Sequence, residues 1–415
     1  MRQFKNLVLT LGLLGASHGY AGGKTPATKG VLIEAKELTE PGWAWYQDVI
    51  NIAHNKEFGV RPPDMPRGAS VRAFQIIYKT KDLAGKTVKA SGLVRLRSDL
   101  VNGTDEPIPM VSYQHSTRIK RSDGPSMNLL DPEAMGGLMH FASRGYLWAM
   151  PDLLGLGISH EPQSYLHARG QAVVCSDFLL AVAEWASARK IKLDRNIIVM
   201  GYSQGGHNTL ALQKFLESPE NRTGFSVRAS FPMAGPYSVA GVGLKQALKS
   251  KSPSQLLFVA LAFYGLSSDP ELKINLKDII SEKYENVLPK MLSGNIDFTA
   301  ATKLLPRHAE QFFTPTFLTG ALMMQEDHPM LRALIQQDVV DFEAKAPVYL
   351  IHALHDEVVP YENSTLAEDY LKRRGTRVKL ITLDKDAEGK EYRHASAALV
   401  AFSEAWAEVE KLDRR

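Results

Sequence analysis

The sequence predicts an α/β fold in which a mostly parallel central sheet is flanked by helices and interrupted by a large helical cap insertion. Three observations predict it. From residue 110 onward short apolar runs alternate with helical patterns, as parallel strands joined by crossover helices do. A Gly-x-Ser-x-Gly turn stands between one such strand and the helix after it. More than a hundred residues then separate two later strands, far beyond what a single crossover needs.

At 415 residues the chain is long enough to bury a large core and carry an insertion. Hydrophobic residues are 44% and charged residues 23%, which excludes the disordered and fibrous classes. A formal net charge of +4 is too weak a bias to argue for a nucleic-acid partner. The single cysteine, Cys175, rules out an intrachain disulfide and reads as a small buried side chain.

The chain opens with Arg2 and Lys5, an apolar run from Leu7 to Leu14, and Gly19-Tyr20-Ala21. That order predicts a secretory signal peptide over residues 1–21 and an exported, periplasmic or secreted protein. The run is too short to span a bilayer, and no later stretch approaches about 18 uninterrupted apolar residues, so no transmembrane segment is expected. Asn102, Asn221 and Asn363 fit the glycosylation pattern, which matters only in a eukaryotic secretory pathway. The lack of disulfides points instead to a bacterium.

Residues 22–237 are expected to form the first part of the core. A helical opening at Trp43–Asn51 and a Pro-rich stretch from Arg61 precede two β-rich runs, Val71–Lys79 and Thr87–Arg97, expected to pair antiparallel. Strands follow at Met110–Tyr113, Tyr146–Met150, Ile197–Gly201 and Ala229–Met233. Between them, Val174, Phe178, Val182 and Trp185 fall on one face of a helix spanning Arg169–Lys190, and a second helix runs over Gln204–Glu217. Residues 238–346 are the expected cap, with helical patterns at Leu256–Phe263, Ile279–Leu288 and Met330–Val340. Residues 347–415 return to the core with strands Val348–His352 and Val378–Thr382 and a helical tail, Ala395–Val409.

Gly201-Tyr202-Ser203-Gln204-Gly205 fits the nucleophile elbow, in which a sharp strand-to-helix turn exposes a serine hydroxyl and close neighbours must lack side chains. Three fixed positions arise by chance in about one chain in seven of this length, so the strand Ile197-Ile-Val-Met and the helix behind the turn carry the weight. A serine needs a base, and the base needs an acid to orient it. The acid expected is Asp356, just past the strand ending near His352, with Asp384 and Asp386 as competitors. The base is His394, the one histidine after Asp356, expected on a loop at the same sheet edge. For the oxyanion, the backbone N–H of Gln204 is one expected donor, and Ser116 or Thr117, after the strand ending at Tyr113, supplies the other.

Taken together, the elbow, the Gln114-His-Ser-Thr turn, the Asp152-Leu-Leu-Gly-Leu-Gly loop and the His355-Asp-Glu-Val-Val-Pro segment resemble α/β-hydrolases over roughly residues 70–412. Within that superfamily the chain is similar to secreted lipases and esterases of the secretory-lipase type. Many relatives carry His-Gly where this chain has His115-Ser116. The resemblance implies hydrolysis of a small-molecule or lipid carboxylic ester through an acyl-enzyme, with no cofactor. A peptidase of the same fold, and a non-catalytic binding protein built on it, are the alternatives. Dehalogenases and epoxide hydrolases are disfavoured because their nucleophile is an aspartate. His352 and His355 lack the helix and glutamate of a zinc-protease motif, and no metal is expected there. His115 and His207 are read as packing or loop-bonding residues, and Asp152 as a loop-shaping acid.

Overall fold

The computed structural model describes residues 30–40, 46, 48, 69–249, 251–323 and 327–414. The expected signal peptide and Pro-rich stretch lie outside them, as does the expected helical opening apart from Tyr46 and Asp48.

Nine strands form one sheet: β1 (Leu32–Leu38), β2 (Val71–Lys81), β3 (Thr87–Arg97), β4 (Met110–Gln114), β5 (Leu147–Pro151), β6 (Asn196–Tyr202), β7 (Ser226–Met233), β8 (Val348–Ala353) and β9 (Val378–Leu383). Their order is β1-β2-β3-β5-β4-β6-β7-β8-β9. The first three are antiparallel, as is β3 against β5, and the remaining pairs are parallel. The β2–β3 pairing and the parallel strands match the sequence reading to within one or two residues, except that β7 begins three residues earlier than expected, at Ser226. β1 was not foreseen, because its alternation of acidic and apolar residues is that of an edge strand with one face in water.

The parallel strands are almost continuously apolar because helices cover both faces. On one face lie α1 (Pro132–His140) and the C-terminal α8 (His394–Asp413), packed around Trp148, Phe141 and Phe402. The other carries α2 (Ala168–Ala188) and α3 (Gln204–Leu216). Val174, Phe178, Val182 and Trp185 of α2 are all buried, with Trp185 against Phe74 and Phe178 against Tyr78. Cys175 is buried beside them, and burial pushes its thiol well above the usual range.

Between β7 and β8 the named elements are helical. They include a π-helical turn (Val239–Leu244), α4 (Pro253–Ser267), α5 (Pro315–Leu322) and α6 (Pro329–Gln336), with α7 (Glu362–Arg373) following β8. Their apolar side chains form a cluster separate from those on the sheet faces, built on Leu256, Phe263, Phe312, Phe313, Phe317 and Leu331. The single helix expected at Ile279–Leu288 is instead broken into short turns: Ser281, whose hydroxyl donates to the Phe312 carbonyl oxygen, precedes the segment Glu282–Glu285, and Pro289 stands in the first turn of the next, Leu288–Met291. The helix expected to reach Val340 stops at Gln336, and Asp338 turns back to accept hydrogen bonds from the Val239 and Ala240 N–H groups.

Candidate active site

β4 lies between β5, which follows it in sequence, and β6, so the chain switches direction across the sheet at β4. In open α/β sheets a crevice forms at the carboxyl ends of the strands flanking such a switch. The 115–117 turn leaves β4 there, and Ser203 leaves β6 beside it.

Ser203 has φ 58° and ψ −120°, a conformation that a non-glycine residue adopts only when its surroundings impose it. The surroundings do so at close range. A Cβ on Gly205 would stand 1.8 Å from the Gln114 carbonyl oxygen, and one on Gly201 would stand 2.4 Å from the same atom. The two glycines therefore let the elbow press against the end of β4, which brings the serine and the 115–117 turn into one crevice.

His394 Nε2 lies 3.0 Å from Ser203 Oγ, and its Nδ1 lies 2.6 Å from Asp356 Oδ2. The sequence placed His394 on a loop; it is the first residue of α8, anchored through Arg393, whose N–H donates to Ser396 Oγ. Asp356 sits in the loop after β8, its side chain fully buried. Burial alone would raise its carboxyl, but hydrogen bonds from His352 and His394 outweigh that and hold it well below the usual carboxylate range. Its Oδ1 accepts the N–H groups of Val358 and Val359, each at 2.8 Å. Asp384 is elsewhere: its Oδ1 lies 2.9 Å from His355 Nε2.

The 115–117 turn rests on a buried ionic cluster. Asp131 caps the start of α1, Glu133 occupies its first turn, and Arg118 reaches both carboxylates at 2.6 Å. Glu133 also accepts from Tyr113 OH at 2.8 Å and from the Ser116 N–H at 3.1 Å. The Ser116 N–H is thus occupied. Thr117 is fixed through its side chain, whose Oγ1 lies 2.8 Å from Tyr165 OH. His115 is buried, with its ring nitrogens 2.6 Å from the Ser116 carbonyl oxygen and 2.9 Å from that of Asp152. His207 Nε2 lies 2.8 Å from the Gln337 carbonyl oxygen. Both histidines bond to loops, as read from the sequence. Asp152 shapes its loop by accepting from Ser91 and Ser126, and burial raises its carboxyl.

An apolar cleft of about 680 Å³, its open mouth included, begins at Ser203 and Gln204. Phe258, Val259 and Phe263 of α4 and Leu334 of α6 line it. The run from Phe317 does not line it: Phe317 packs on Phe263 and Phe313, while Leu322 and Met323 are exposed. Among the described residues no cluster of His, Cys, Asp and Glu could hold a metal ion, and no helix is long and apolar enough to cross a membrane.

Sequence reasoning did not single out Glu133, Arg118 or Tyr202, whose partners are distant in the chain. It also passed over His352 as a partner of the acid, because the turn at 354–355 between β8 and Asp356 carries no strand periodicity that would pair them.

The nine-stranded, mostly parallel sheet with helices on both faces and a crevice at its switch point has the α/β-hydrolase fold. Many solved structures resemble the chain, three of them as follows. One is a Legionella pneumophila protein designated a hydrolase, with a TM-score of 0.78 and 23% identity over 93% of this chain and 99% of that one. Another is the rice cell wall degrading esterase LipA of Xanthomonas oryzae, with a TM-score of 0.78 and 21% identity over 93% and 100% of the two chains. The third is Candida antarctica lipase A, with a TM-score of 0.61 and 15% identity over 88% and 78%. No family model and no curated protein matches the sequence.

Proposed function

We propose that the protein is a serine hydrolase that cleaves carboxylic esters. The observation that carries this reading is the unbroken line from Asp356 Oδ2 through His394 to Ser203 Oγ, with contacts of 2.6 and 3.0 Å. In it, His394 Nε2 takes the Ser203 proton as Oγ attacks the ester carbonyl, and Asp356 stabilises the imidazolium through Nδ1–H. The tetrahedral oxyanion accepts the N–H groups of Gln204 and Thr117. Collapse expels the alcohol, which leaves with the proton from His394. Water, deprotonated by His394 in turn, then releases the acid and restores Ser203.

Residues 238–346 act as a cap, and the cleft beneath it takes the acyl chain. A leaving alcohol must lie against His394 Nε2 to receive its proton, whereas the cleft is walled by Ser203 and Gln204 and not by His394. Each buried methylene then contributes at most about 0.8 kcal/mol, so kcat/KM climbs by up to severalfold per carbon until the cleft fills. Export rests on the N-terminal pattern, which predicts a mature chain beginning at Gly22.

The test uses a fluorophosphonate probe and nitrophenyl esters from C2 to C16 below their aggregation limits. Wild type should label and hydrolyse, and Ser203→Ala should do neither. Phe258→Ala should shift the optimum chain length. Labelling that survives Ser203→Ala would place the nucleophile elsewhere. Peptide anilides turned over in preference to esters would replace the esterase reading with a peptidase.

A further inference from the structure

The Asp356 carboxylate serves two imidazoles. His394 Nδ1 lies 2.6 Å from Oδ2, and His352 Nε2 lies 3.2 Å from the same oxygen. His352 comes from β8 itself, four residues before the acid, and its side chain is fully buried. Its Nε2 faces a second acceptor, the Val359 carbonyl oxygen at 3.0 Å, so that nitrogen must carry a proton. On the far side of the ring, Nδ1 lies 2.7 Å from Ser364 Oγ on α7. In a neutral ring the Ser364 hydroxyl donates to Nδ1, which fixes the tautomer that places N–H toward Asp356.

We propose that His352 is a positioning residue for catalysis: it donates to Asp356 Oδ2, holds that oxygen toward His394 and keeps the buried acid anionic. The inference rests on the Ser203–His394–Asp356 reading above. The two Oδ1 donors, Val358 and Val359, are backbone groups of the acid's own loop, so among the described side chains His394 alone would bond Oδ2 without His352. A fully buried carboxylate short of one donor binds its proton more tightly, and the imidazole hydrogen-bonded to it does the same. Both changes act in one direction. The Asp356–His394 pair would release its proton at higher pH, and the base form of His394 would be scarcer at any acidic pH.

Other titratable groups around the pair do not blur this expectation. Tyr202 and Tyr237 have phenols pushed up by burial, and Tyr361 packs its ring on His352. Glu357 accepts the His394 backbone N–H.

The experiment measures kcat, KM and the pH profile of kcat/KM for nitrophenyl ester hydrolysis by wild type, His352→Leu and His352→Gln, with fluorophosphonate labelling of Ser203 as a control for an intact elbow. His352→Leu should move the acid-side limb upward by about one pH unit. It should lower kcat on the order of ten- to hundredfold while KM stays within about twofold. His352→Gln, which can restore an N–H donor, should recover most of the loss. An unmoved limb in a folded His352→Leu, or equal losses in Leu and Gln, would overturn the proposal in favour of simple packing. Should His352→Leu not fold, Ser364→Ala decides: it frees the tautomer, so an unmoved limb again overturns the proposal. Labelling that persists in Ser203→Ala would defeat the triad reading itself, an outcome distinct from any result at His352.

Discussion

The hydroxyl of Tyr202 donates to the carbonyl oxygen of His394 at 2.6 Å, joining the end of β6 directly to the first residue of α8. From the other side Glu357 accepts the His394 N–H at 3.1 Å. The histidine backbone is thus held by the elbow residue before the serine and by the residue after the acid. Tyr202→Phe keeps the ring and loses this bond, so stability should fall by about 1 kcal/mol. kcat should drop more than KM rises, on the order of tenfold, because His394 loses its registry with Ser203. Steady-state kinetics checks this, and a variant with wild-type kcat would show that Glu357 and Arg393 suffice.

Gly205→Ala should be far more damaging than its size suggests. The added methyl would meet the Gln114 carbonyl oxygen at 1.8 Å, a backbone atom of β4 that cannot swing aside. We expect a loss of roughly 1–3 kcal/mol or more in urea unfolding, together with loss of fluorophosphonate labelling. Normal labelling in the variant would mean that the elbow can retreat from β4 without harm.

The oxyanion assignment separates two neighbours. Glu133 already occupies the Ser116 N–H, which leaves the Thr117 N–H as the donor proposed for the oxyanion. Thr117→Pro deletes that N–H and should cost about 10²–10³ in kcat. Thr117→Ala keeps the N–H, removes only the contact with Tyr165, and should cost less than about tenfold. Equal losses in both variants would assign the effect to the Tyr165 contact instead.

Asp338 gives a pH-dependent stability. Burial pushes its carboxyl from the ordinary 3.8 up to about 7, although the Val239 and Ala240 N–H groups and the Ser238 hydroxyl donate to it. The folded chain therefore retains a proton that the unfolded chain releases near pH 4. Stability contributed by this group declines as pH rises from about 4 to 7. Asp338→Asn keeps an acceptor and cannot ionise, so its stability relative to wild type should improve by on the order of 2 kcal/mol between pH 5 and pH 8. Urea midpoints that run parallel across this range would contradict a protonated Asp338.

Ser203, Asp356 and His394 were legible as candidates because each carries a local signal: an apolar strand, a turn and a chemically apt side chain in a fixed chain order. The same holds for the α2 stripe, whose helical spacing needs only one apolar face to bury. The reading failed where neighbours in space are remote in sequence. Whether Phe258 or Phe317 meets the cleft depends on which face of α4 and α5 turns inward, and both runs are apolar on nearly every side. Likewise nothing local shows that the Ser116 N–H is taken; Glu133, brought in by α1, takes it.

The sequence by itself determined the α/β class, the elbow and the order of the candidate residues, because strand and helix periodicity and glycine requirements are properties of short segments. Tertiary structure alone decided that Asp356 is shared with His352, that Tyr202 holds His394, and that α4 rather than α5 lines the cleft. Those relationships arise when sheet order brings the carboxyl ends of β4, β6 and β8 to one edge of the sheet, with β7 between the last two, and hydrogen-bond reach of about 3 Å is a condition on three-dimensional distance that no sequence spacing encodes.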